Sequence, residues 1–481
     1  MITATRPAAY LDHASTTPMS SASLDAYMRE ARRVGNASSL HAAGRAARRV
    51  VEESRESIAE SLGARPHEVI FTSGGTEADN LAVKGIFWGR RAQNTARTRL
   101  LIGATEHHAV LDPAFWLAEH AGAEIVLLPV DSQGVIDLDA VAEELQAKGS
   151  TTALLSAMWA NNEVGTLAPL AQITRLAHKH GVPVHTDAVQ AVGQLPVNFA
   201  QSAVDAMTIS GHKIGGPVGV GALLARRDLA MEAVQHGGGQ ERGVRSGTLD
   251  VPAIAALAVA VREATSAVQV RAAHMAALRD ALVEGVLSAI PDAQLSGPPV
   301  QTPASPASAG ADPAASAEVS ADTYGGRLPG NAHFTFPGTE GDSLMYLLDS
   351  AGVEVSTGSA CQAGVPQPSH VLLAMGFSEA DARGALRFSF GATSTMDDVS
   401  RALSALPDVV ARARVAGHFT GARSAAAGGG RSGAGAAGIG ATNMSGGSIG
   451  PASISGGSIS ATSIGEAGAG TNEAVTQEES A

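Results

Sequence analysis

The most reactive side chain in this sequence is a single thiol, Cys361, in the segment 356–364 (STGSACQAG). A lone cysteine cannot form an internal disulfide, and a structural thiol usually has large apolar neighbours. Here the neighbours are small, polar and flexible, which predicts a loop that presents the sulfur to a reactant. The alternative is an incidental loop thiol, because a single cysteine is by itself only a candidate nucleophile.

A second candidate is the amine of Lys213, in the segment 210–217 (SGHKIGGP) directly after the apolar run 206–209. A lysine at a strand end, surrounded by small residues and a histidine, is badly placed to be a solvated surface charge. It is well placed to form a Schiff base with an aldehyde cofactor such as pyridoxal 5'-phosphate (PLP). The alternative is a surface lysine that happens to lie beside a glycine-rich turn.

Asp187 ends the preceding predicted strand, in the segment 184–190 (VHTDAVQ). A carboxylate there can pair with the protonated pyridine nitrogen of PLP and make the ring an electron sink. Aspartate also favours helix N-caps, and the two roles can coexist. Because Lys213 follows the next strand end, the cofactor contact is favoured.

Two further segments carry groups that suit such a cofactor. Residues 71–80 (FTSGGTEADN) predict a strand, a glycine turn and a helix start, where backbone N–H groups can bind phosphate. Many strand-to-helix turns contain two glycines, so this pattern alone does not identify a phosphate site. His107 follows another predicted strand and could stack on a ring, although a lone loop histidine is more often structural or exposed. Zinc is a poor alternative, because one cysteine and scattered histidines lack the usual ligand spacing.

Arg387 alternates with apolar residues in the predicted strand segment 384–391 (GALRFSFG). A buried guanidinium needs a partner, and its fork suits a carboxylate bidentately, so it is either a substrate-binding group or half of a structural ion pair. Residues 161–166 (NNEVGT) form another polar turn after a strand. Residues 236–248 (HGGGQERGVRSGT) are too glycine-rich and charged for a core, which indicates a loop that contacts phosphate or another subunit.

The elements that must position these groups are apolar runs that alternate with helical patterns from about residue 8 to 250, which predicts an α/β domain with a mainly parallel sheet. In such sheets functional residues lie just beyond the carboxyl ends of the strands. Residues 253–290 predict long helices, followed by a smaller α/β domain. The predicted strands of the large sheet include 69–72, 100–102, 124–128, 153–156, 182–185, 206–209 and 221–224.

Two segments rich in Gly, Ser, Ala or Pro do not predict folded structure: an insertion at 297–326 and the chain from about 417 onward. Such sequences bury too little apolar surface to offset the entropy cost of ordering them, so disorder is expected.

Composition excludes some classes of function. A net charge of −13 and a pI of about 5.6 argue against a nucleic-acid-binding protein, because phosphate neutralisation requires a basic face. We expect no signal peptide, because the sequence reaches Asp12 before any apolar run, and no membrane span of about 18–20 apolar residues. With one thiol, a reducing cytoplasm is the expected location.

Together these segments resemble the cysteine desulfurases, PLP enzymes of fold type I in the class V aminotransferase group. The resemblance covers residues 9 to 412 apart from the insertion, and ten short motifs in the same order make it specific. The motifs are at 10–18, 35–39, 72–80, 106–108, 161–163, 185–190, 210–217, 236–248, 356–361 and 387–391. It implies an N-terminal arm (1–15) associated with the small domain, a large PLP-binding domain (16–252), a small domain (253–416) and a disordered tail (417–481).

The resemblance also implies residue roles at the matching positions. Lys213 would hold PLP covalently and move protons, His107 would stack on the ring and assist acid–base steps, and Cys361 would attack the substrate sulfur. The other implied cofactor contacts are Asp187 with the ring nitrogen, Gln190 with the ring hydroxyl, and Gly75, Thr76, Ser210 and His212 with the phosphate, joined by Thr248 from the partner subunit. Arg387, helped by Asn36 and Asn162, would bind the substrate carboxylate.

The implied reaction converts L-cysteine to L-alanine and leaves a persulfide on Cys361 for an acceptor protein, which would be an iron–sulfur scaffold or a tRNA-thiolating enzyme. A homodimer without direct contacts to nucleic acid or membrane is implied. The Gly/Ser/Ala tail replaces the C-terminal end where related enzymes dock scaffold proteins, so the scaffold partnership is in question. The alternatives are a selenocysteine lyase, another class V PLP enzyme, or a catalytically silent scaffold.

Overall fold

The computed structural model describes residues 8–300, 325–358 and 367–428, with side chains up to residue 415. The described strands are β1 (Ala9–Tyr10), β2 (Val69–Thr72), β3 (Arg99–Gly103), β4 (Glu124–Leu128), β5 (Thr152–Ser156), β6 (Val184–Asp187), β7 (Ala206–Ser210), β8 (Gly221–Ala225), β9 (Gln294–Leu295), β10 (Asn331–Thr335), β11 (Val353–Glu354) and β12 (Ala385–Ser389).

The described helices are α1 (Ser21–Ala31), α2 (Ala42–Ser61), α3 (Gly75–Gln93), α4 (His108–Ala121), α5 (Leu138–Lys148), α6 (Leu170–Lys179), α7 (Phe199–Ser202), α8 (Val251–Ser266), α9 (Val268–Ala289), α10 (Gly341–Ser350), α11 (His370–Ala374), α12 (Glu379–Arg383) and α13 (Met396–Gly428).

The large sheet has seven strands in the order β2-β8-β7-β6-β5-β3-β4. Only β8 among these strands runs antiparallel to its neighbours, β2 and β7, and the other pairs are parallel. The predicted mainly parallel α/β sheet is therefore confirmed. The strand predicted at 182–185 begins two residues later, because Pro183 has no N–H to donate to a neighbouring strand, and it ends at Asp187.

Both faces of this sheet are covered by helices. Apolar residues of α3 and α4, among them Leu81, Ile86 and Val110, pack on one face. Residues of α2, α5, α6 and α8 form the core on the other face, with Ile58, Val141 and Leu257 among them. Central strands covered on both faces are continuously apolar, and the edge where they end is where polar groups can converge.

A second sheet has the order β12-β10-β9 and is antiparallel. Phe334, Phe336 and Phe388 pack there with apolar residues of α9, α10 and α13 in a separate core. The chain near the N-terminus also belongs to this region, because β1 pairs with β11 and Asp12 forms a β-bridge with Ser389. The domain boundaries at 15, 252 and 416 stay a prediction.

Helix α13 continues to Gly428, so the predicted start of the tail at 417 lies within this helix. Alanines between 411 and 427 favour helix, which explains why the helical segment is longer than the composition-based boundary. Residues 301–324 of the predicted insertion and 429–481 of the predicted tail lie outside the described residues.

Among the described residues, no helix on its own has the length and apolar character to span a membrane. The pair Val251–Ser266 and Val268–Ala289 meets that criterion only when joined across a 72° bend.

Candidate active site

A cavity of about 410 Å³ lies at the carboxyl ends of β6 and β7, beside the first turn of α3. It is bordered by the chain just after β1 and by β12 of the second sheet. The structure brings these predicted site residues to its wall: Gly75, Thr76, His107, Asn162, Asp187, Gln190, Ser210, His212, Lys213 and Arg387.

Lys213 ends a short 3₁₀ turn that begins immediately after β7, so its side chain enters the cavity from a strand end. Its Nζ donates hydrogen bonds to the carbonyl oxygens of Ala14 at 2.7 Å and Ser15 at 2.8 Å. Burial and, to a smaller extent, the nearby Arg387 charge lower the pKa of Lys213 to about 8, while Asp187 and Asp12 oppose the shift. The amine is therefore much easier to deprotonate than an exposed lysine, which suits attack on an aldehyde.

Asp187 is the last residue of β6 and is almost fully buried. Its Oδ1 accepts a hydrogen bond from the Val189 N–H at 2.8 Å. Burial raises the pKa of Asp187 to about 6, against the opposing effects of that hydrogen bond and of Lys213. A buried carboxylate of this kind is stabilised by a cation brought against it, and a protonated ring nitrogen is such a cation.

The first turn of α3 forms a cradle for an anion. Gly74 precedes the helix at φ 151° and provides no side-chain cap, so the first backbone N–H groups are free to bind a ligand. A Cβ at Gly75 would lie 3.1 Å from Val189 Cγ2, so glycine keeps this approach open. Ser210 Oγ is buried with no hydrogen-bond partner, and His212 lies opposite with its Nδ1 3.3 Å from Thr16 Oγ1. The orphaned hydroxyl and free N–H groups fit a phosphate.

His107 is the N-cap of α4, and its Nδ1 accepts a hydrogen bond from the Ala109 N–H at 3.1 Å. The neutral ring must then carry its proton on Nε2. Burial and, to a smaller extent, the nearby Lys213, His108 and His370 lower the pKa of His107 to about 4, while Asp112 opposes the shift. His107 is therefore a neutral donor at physiological pH.

Arg387 lies in the middle of β12, where it forms the ion pair that its sequence pattern left open and also borders the cavity. Its Nη2 donates to Asp12 Oδ1 at 2.9 Å and to Ser15 Oγ at 2.8 Å, and its Nη1 donates to the Asn162 carbonyl at 2.9 Å. Its Nε is buried without a partner. The guanidinium thus has a structural ion pair and still borders the cavity.

Cys361 lies outside the described residues, but the chain leading to it is described up to Gly358. Ser356 pairs with Arg387 through two backbone hydrogen bonds of 2.7 and 3.3 Å. Ser356 and Gly358 both border the cavity.

Two predicted residues do not border the cavity. Asn36 is exposed, and its Oδ1 accepts the Ser38 N–H at 2.9 Å, so this chain does not bring it to Arg387. Thr248 is also exposed, at the end of the 236–248 loop. Sequence reasoning gave no role to Asp12, Ala14 and Ser15, which hold Lys213 and Arg387, although they lie within the motif at 10–18. Across the described residues no His, Cys, Asp and Glu group is arranged to hold a metal ion.

Comparison with known proteins finds a matching family and similar sequences and folds. The family model "Aminotransferase class-V" matches residues 9–320 and 314–402. An "IscS-like cysteine desulfurase" from Mycobacterium tuberculosis is 53% identical over 406 residues, which are 84% of this chain and 97% of that protein.

Two solved structures have similar folds. A "NIFS-LIKE PROTEIN" superposes with a TM-score of 0.72 at 32% identity, covering 84% of this chain and 99% of the other. A second structure, "SspA in complex with cysteine", has a TM-score of 0.63 at 29% identity and covers 80% of this chain and 99% of the other.

Proposed function

This chain belongs to the class V aminotransferase family and is a cysteine desulfurase, and from that premise we propose that Lys213 and Cys361 carry its reaction. The observation that supports the proposal most is the convergence of Lys213, Asp187 and Arg387 on one cavity whose rim leads to Cys361. L-cysteine is the proposed substrate, in agreement with the name of the mycobacterial relative and with the cysteine bound in the SspA complex.

The residues around the cavity fit PLP. Lys213 would hold its aldehyde carbon, Asp187 its ring nitrogen and Gln190 its hydroxyl, while Gly75, Thr76, Ser210 and His212 would hold its phosphate. When bound, PLP supplies an electron-withdrawing ring that stabilises negative charge on the substrate carbon.

The chain's own groups then bind the substrate and move its protons. Arg387 would bind the substrate carboxylate with Asn162, using the guanidinium edge that includes the unpartnered Nε. Lys213, with a pKa near 8, can accept and return a proton at Nζ near neutral pH. His107 has its proton on the Nε2 side and would act first as a donor there.

Cys361 would take the sulfur. Its thiolate forms a sulfur–sulfur bond with the substrate sulfur as the carbon–sulfur bond breaks, and the carbon gains a proton. The products balance as L-alanine and a Cys361 persulfide. A free thiol with a pKa of about 8.5 is only a few per cent ionised at neutral pH, so a nearby proton acceptor should raise the rate.

The first prediction concerns this thiol. Cys361→Ala should bind PLP with unchanged absorbance but lose nearly all sulfide and persulfide formation, because the sulfur acceptor is gone. Intact-protein mass spectrometry after incubation with cysteine detects the covalently held cofactor and any sulfur added to the protein. Full sulfur release from the variant would favour a selenocysteine lyase or another class V enzyme instead.

A catalytically silent scaffold would need no covalently attached cofactor, so the absorbance of PLP distinguishes it from the proposed enzyme. Lys213→Ala should abolish the visible absorbance of the purified protein if the proposed attachment is correct. A wild-type protein that stays colourless when PLP is added would contradict the proposal.

We further propose a homodimer in which Thr248, and the loop around Asn36, contribute to the partner's site. Support comes from their exposure in this chain and from the exposed apolar residues Val34 and Leu40, which flank Asn36. Sedimentation analysis of the full chain measures the oligomeric state, and a monomer at micromolar concentration would contradict the proposed homodimer.

The acceptor is proposed to be an iron–sulfur scaffold or a tRNA-thiolating enzyme in the cytoplasm. Labelled sulfur from cysteine should pass from Cys361 to one of these two partners. Transfer to neither would contradict the assignment.

A further inference from the structure

A row of polar side chains lies directly below the cavity, one in or just after each of four neighbouring strands of the large sheet. Ser156 Oγ is 3.1 Å from Glu106 Oε1 and 3.0 Å from His185 Nδ1. The other ring nitrogen of His185, Nε2, is 3.1 Å from Thr208 Oγ1. Because β3, β5, β6 and β7 are adjacent in this order, the hydrogen bonds run continuously across the sheet.

This row forms the layer beneath the cavity floor. Side chains two residues apart on a strand point to the same face. Three residues of the row each lie two positions before a residue of the cavity wall: Ser156 before Met158, His185 before Asp187, and Thr208 before Ser210. From the helix above, Asp79 of α3 reaches the same layer, with Oδ1 3.5 Å from His185 Nε2.

The layer holds more acidic groups than it can ionise. Asp79, Glu106 and Asp187 are each 6% exposed or less, and Asp79 Oδ1 and Glu106 Oε2 have no hydrogen-bond partner. Of the described cations, Lys213 is the one whose charge acts on Asp187. Carboxylates that share a dry space repel one another, so some must keep their protons.

Local environment decides which ones do. Burial, together with the charge of Asp187, raises the pKa of Glu106 to about 8 and that of Asp79 well above its usual range. Burial lowers the pKa of His185 to about 3, so its ring is neutral. Asp187 has the hydrogen bond from Val189 and the nearby Lys213, both of which favour its ionised form.

We propose that Glu106 and Asp79 are positioning residues that hold protons, and that with Ser156 and His185 they form a neutral layer that leaves Asp187 as the one ionised carboxylate below the cofactor ring. In this role the layer acts through Asp187; Asp79 also borders the cavity, whereas Glu106, Ser156 and His185 do not. The inference rests on the proposed pairing of Asp187 with the ring nitrogen of PLP.

The proposal predicts how substitutions of Glu106 behave. Glu106→Gln keeps the shape and neutrality of a protonated acid. The Kd for PLP should therefore change by less than about twofold, and the pH midpoint of the cofactor absorbance should shift by no more than about a few tenths of a pH unit. Glu106→Ala leaves Ser156 without its acceptor, and its Kd for PLP should rise about tenfold. The exposed Glu119→Gln is the matched control and should match the wild type.

Infrared spectroscopy of the holoenzyme tests the protonation directly. At neutral pH the wild type should show a protonated-carboxyl band that loses intensity in Glu106→Gln and in Asp79→Asn but not in Glu119→Gln. An unchanged band in both buried variants would overturn the proposal, as would a Glu106→Gln protein, folded by circular dichroism, that binds PLP as poorly as Glu106→Ala.

The infrared measurement separates this inference from the function on which it rests. If Asp187→Asn binds PLP as tightly as the wild type, the ring-nitrogen role of Asp187 fails, whatever the state of Glu106. If Asp187→Asn loses affinity for PLP while the protonated-carboxyl band is unchanged in Glu106→Gln and in Asp79→Asn, the neutral layer fails and the proposed function stands.

Discussion

Burial controls the chemistry of the single residues around the cavity. It lowers the pKa of Lys213 to about 8 and that of His107 and His212 to about 4, because a charged form loses hydration that few neighbours replace. The same effect raises the pKa of Asp187 to about 6. Burial therefore shifts each of these groups toward its neutral form, beside the Arg387 guanidinium.

This shift predicts the pH dependence of cofactor attachment. Only the unprotonated Lys213 amine attacks an aldehyde, so the rate of PLP incorporation into the apoprotein should rise with pH and reach half its maximum near pH 8 rather than at 10.5. Stopped-flow absorbance measures this rate. Arg387→Gln removes a neighbouring positive charge that lowers the pKa, so its midpoint should move upward; a wild-type midpoint near 10 would contradict the assignment.

At the scale of elements, the 236–248 loop is attached to the sheet and to α3 by two ion pairs. Arg55 of α2 forms a bidentate pair with Glu241 at 2.6 and 2.8 Å, and Glu241 also accepts the Phe71 N–H of β2 at 2.8 Å. Arg245 forms the second pair, with Glu77 in the first turn of α3. These contacts hold Glu241 at a φ of 44°, a conformation that non-glycine residues seldom adopt.

Breaking the buried pair should therefore cost much more than breaking an exposed one. Glu241→Ala leaves the buried Arg55 with only the half-exposed Glu52 as an acidic partner, and we expect the free energy of unfolding to fall by about 3 kcal/mol, the lower end of what the loss of a buried partner costs. Glu53→Ala is the matched control, because Glu53 pairs with Arg49 on the surface of the same helix and should contribute less than about 1 kcal/mol. Denaturant titration measures the free energy of unfolding of both variants, and equal decreases would show that the Glu241–Arg55 pair contributes no more than a surface pair.

At the scale of the whole molecule, one chain leaves part of the predicted site incomplete. Thr248 and Asn36 are exposed and do not border the cavity of their own chain. In the proposed homodimer a second copy would bring these two residues to the neighbouring cavity. The homodimer is thus the assembly that would reconcile the residue roles with the geometry.

Hybrid dimers test this arrangement. A wild-type subunit paired with a Lys213→Ala, Thr248→Ala partner has one working site, whose residue 248 comes from the altered chain. Its Kd for PLP should be about tenfold higher than in a wild-type and Lys213→Ala hybrid, because one phosphate hydrogen bond is lost. Equal affinities in the two differently tagged hybrids would show that Thr248 does not act across the interface.

Local sequence was sufficient to predict most of the framework. Short apolar runs bounded by turn residues predicted β2, β4 and β7 within a residue, because strand formation there follows from local patterning. The cavity residues Lys213, Asp187 and Arg387 were identifiable because each is a polar group in or just after an apolar strand.

The tertiary structure decided what no local pattern contains. The carbonyls of Ala14 and Ser15 contact Lys213 from almost 200 positions away, and Asp12 meets Arg387 across 375 positions. The row from Glu106 to Thr208 exists only because four strands lie side by side in the sheet, with β4 placed at the edge beyond β3 and not between β3 and β5. Hydrogen bonds and burial depend on distance in space, so the sequence by itself determined which groups can react, and the packed strands determined their partners and their protons.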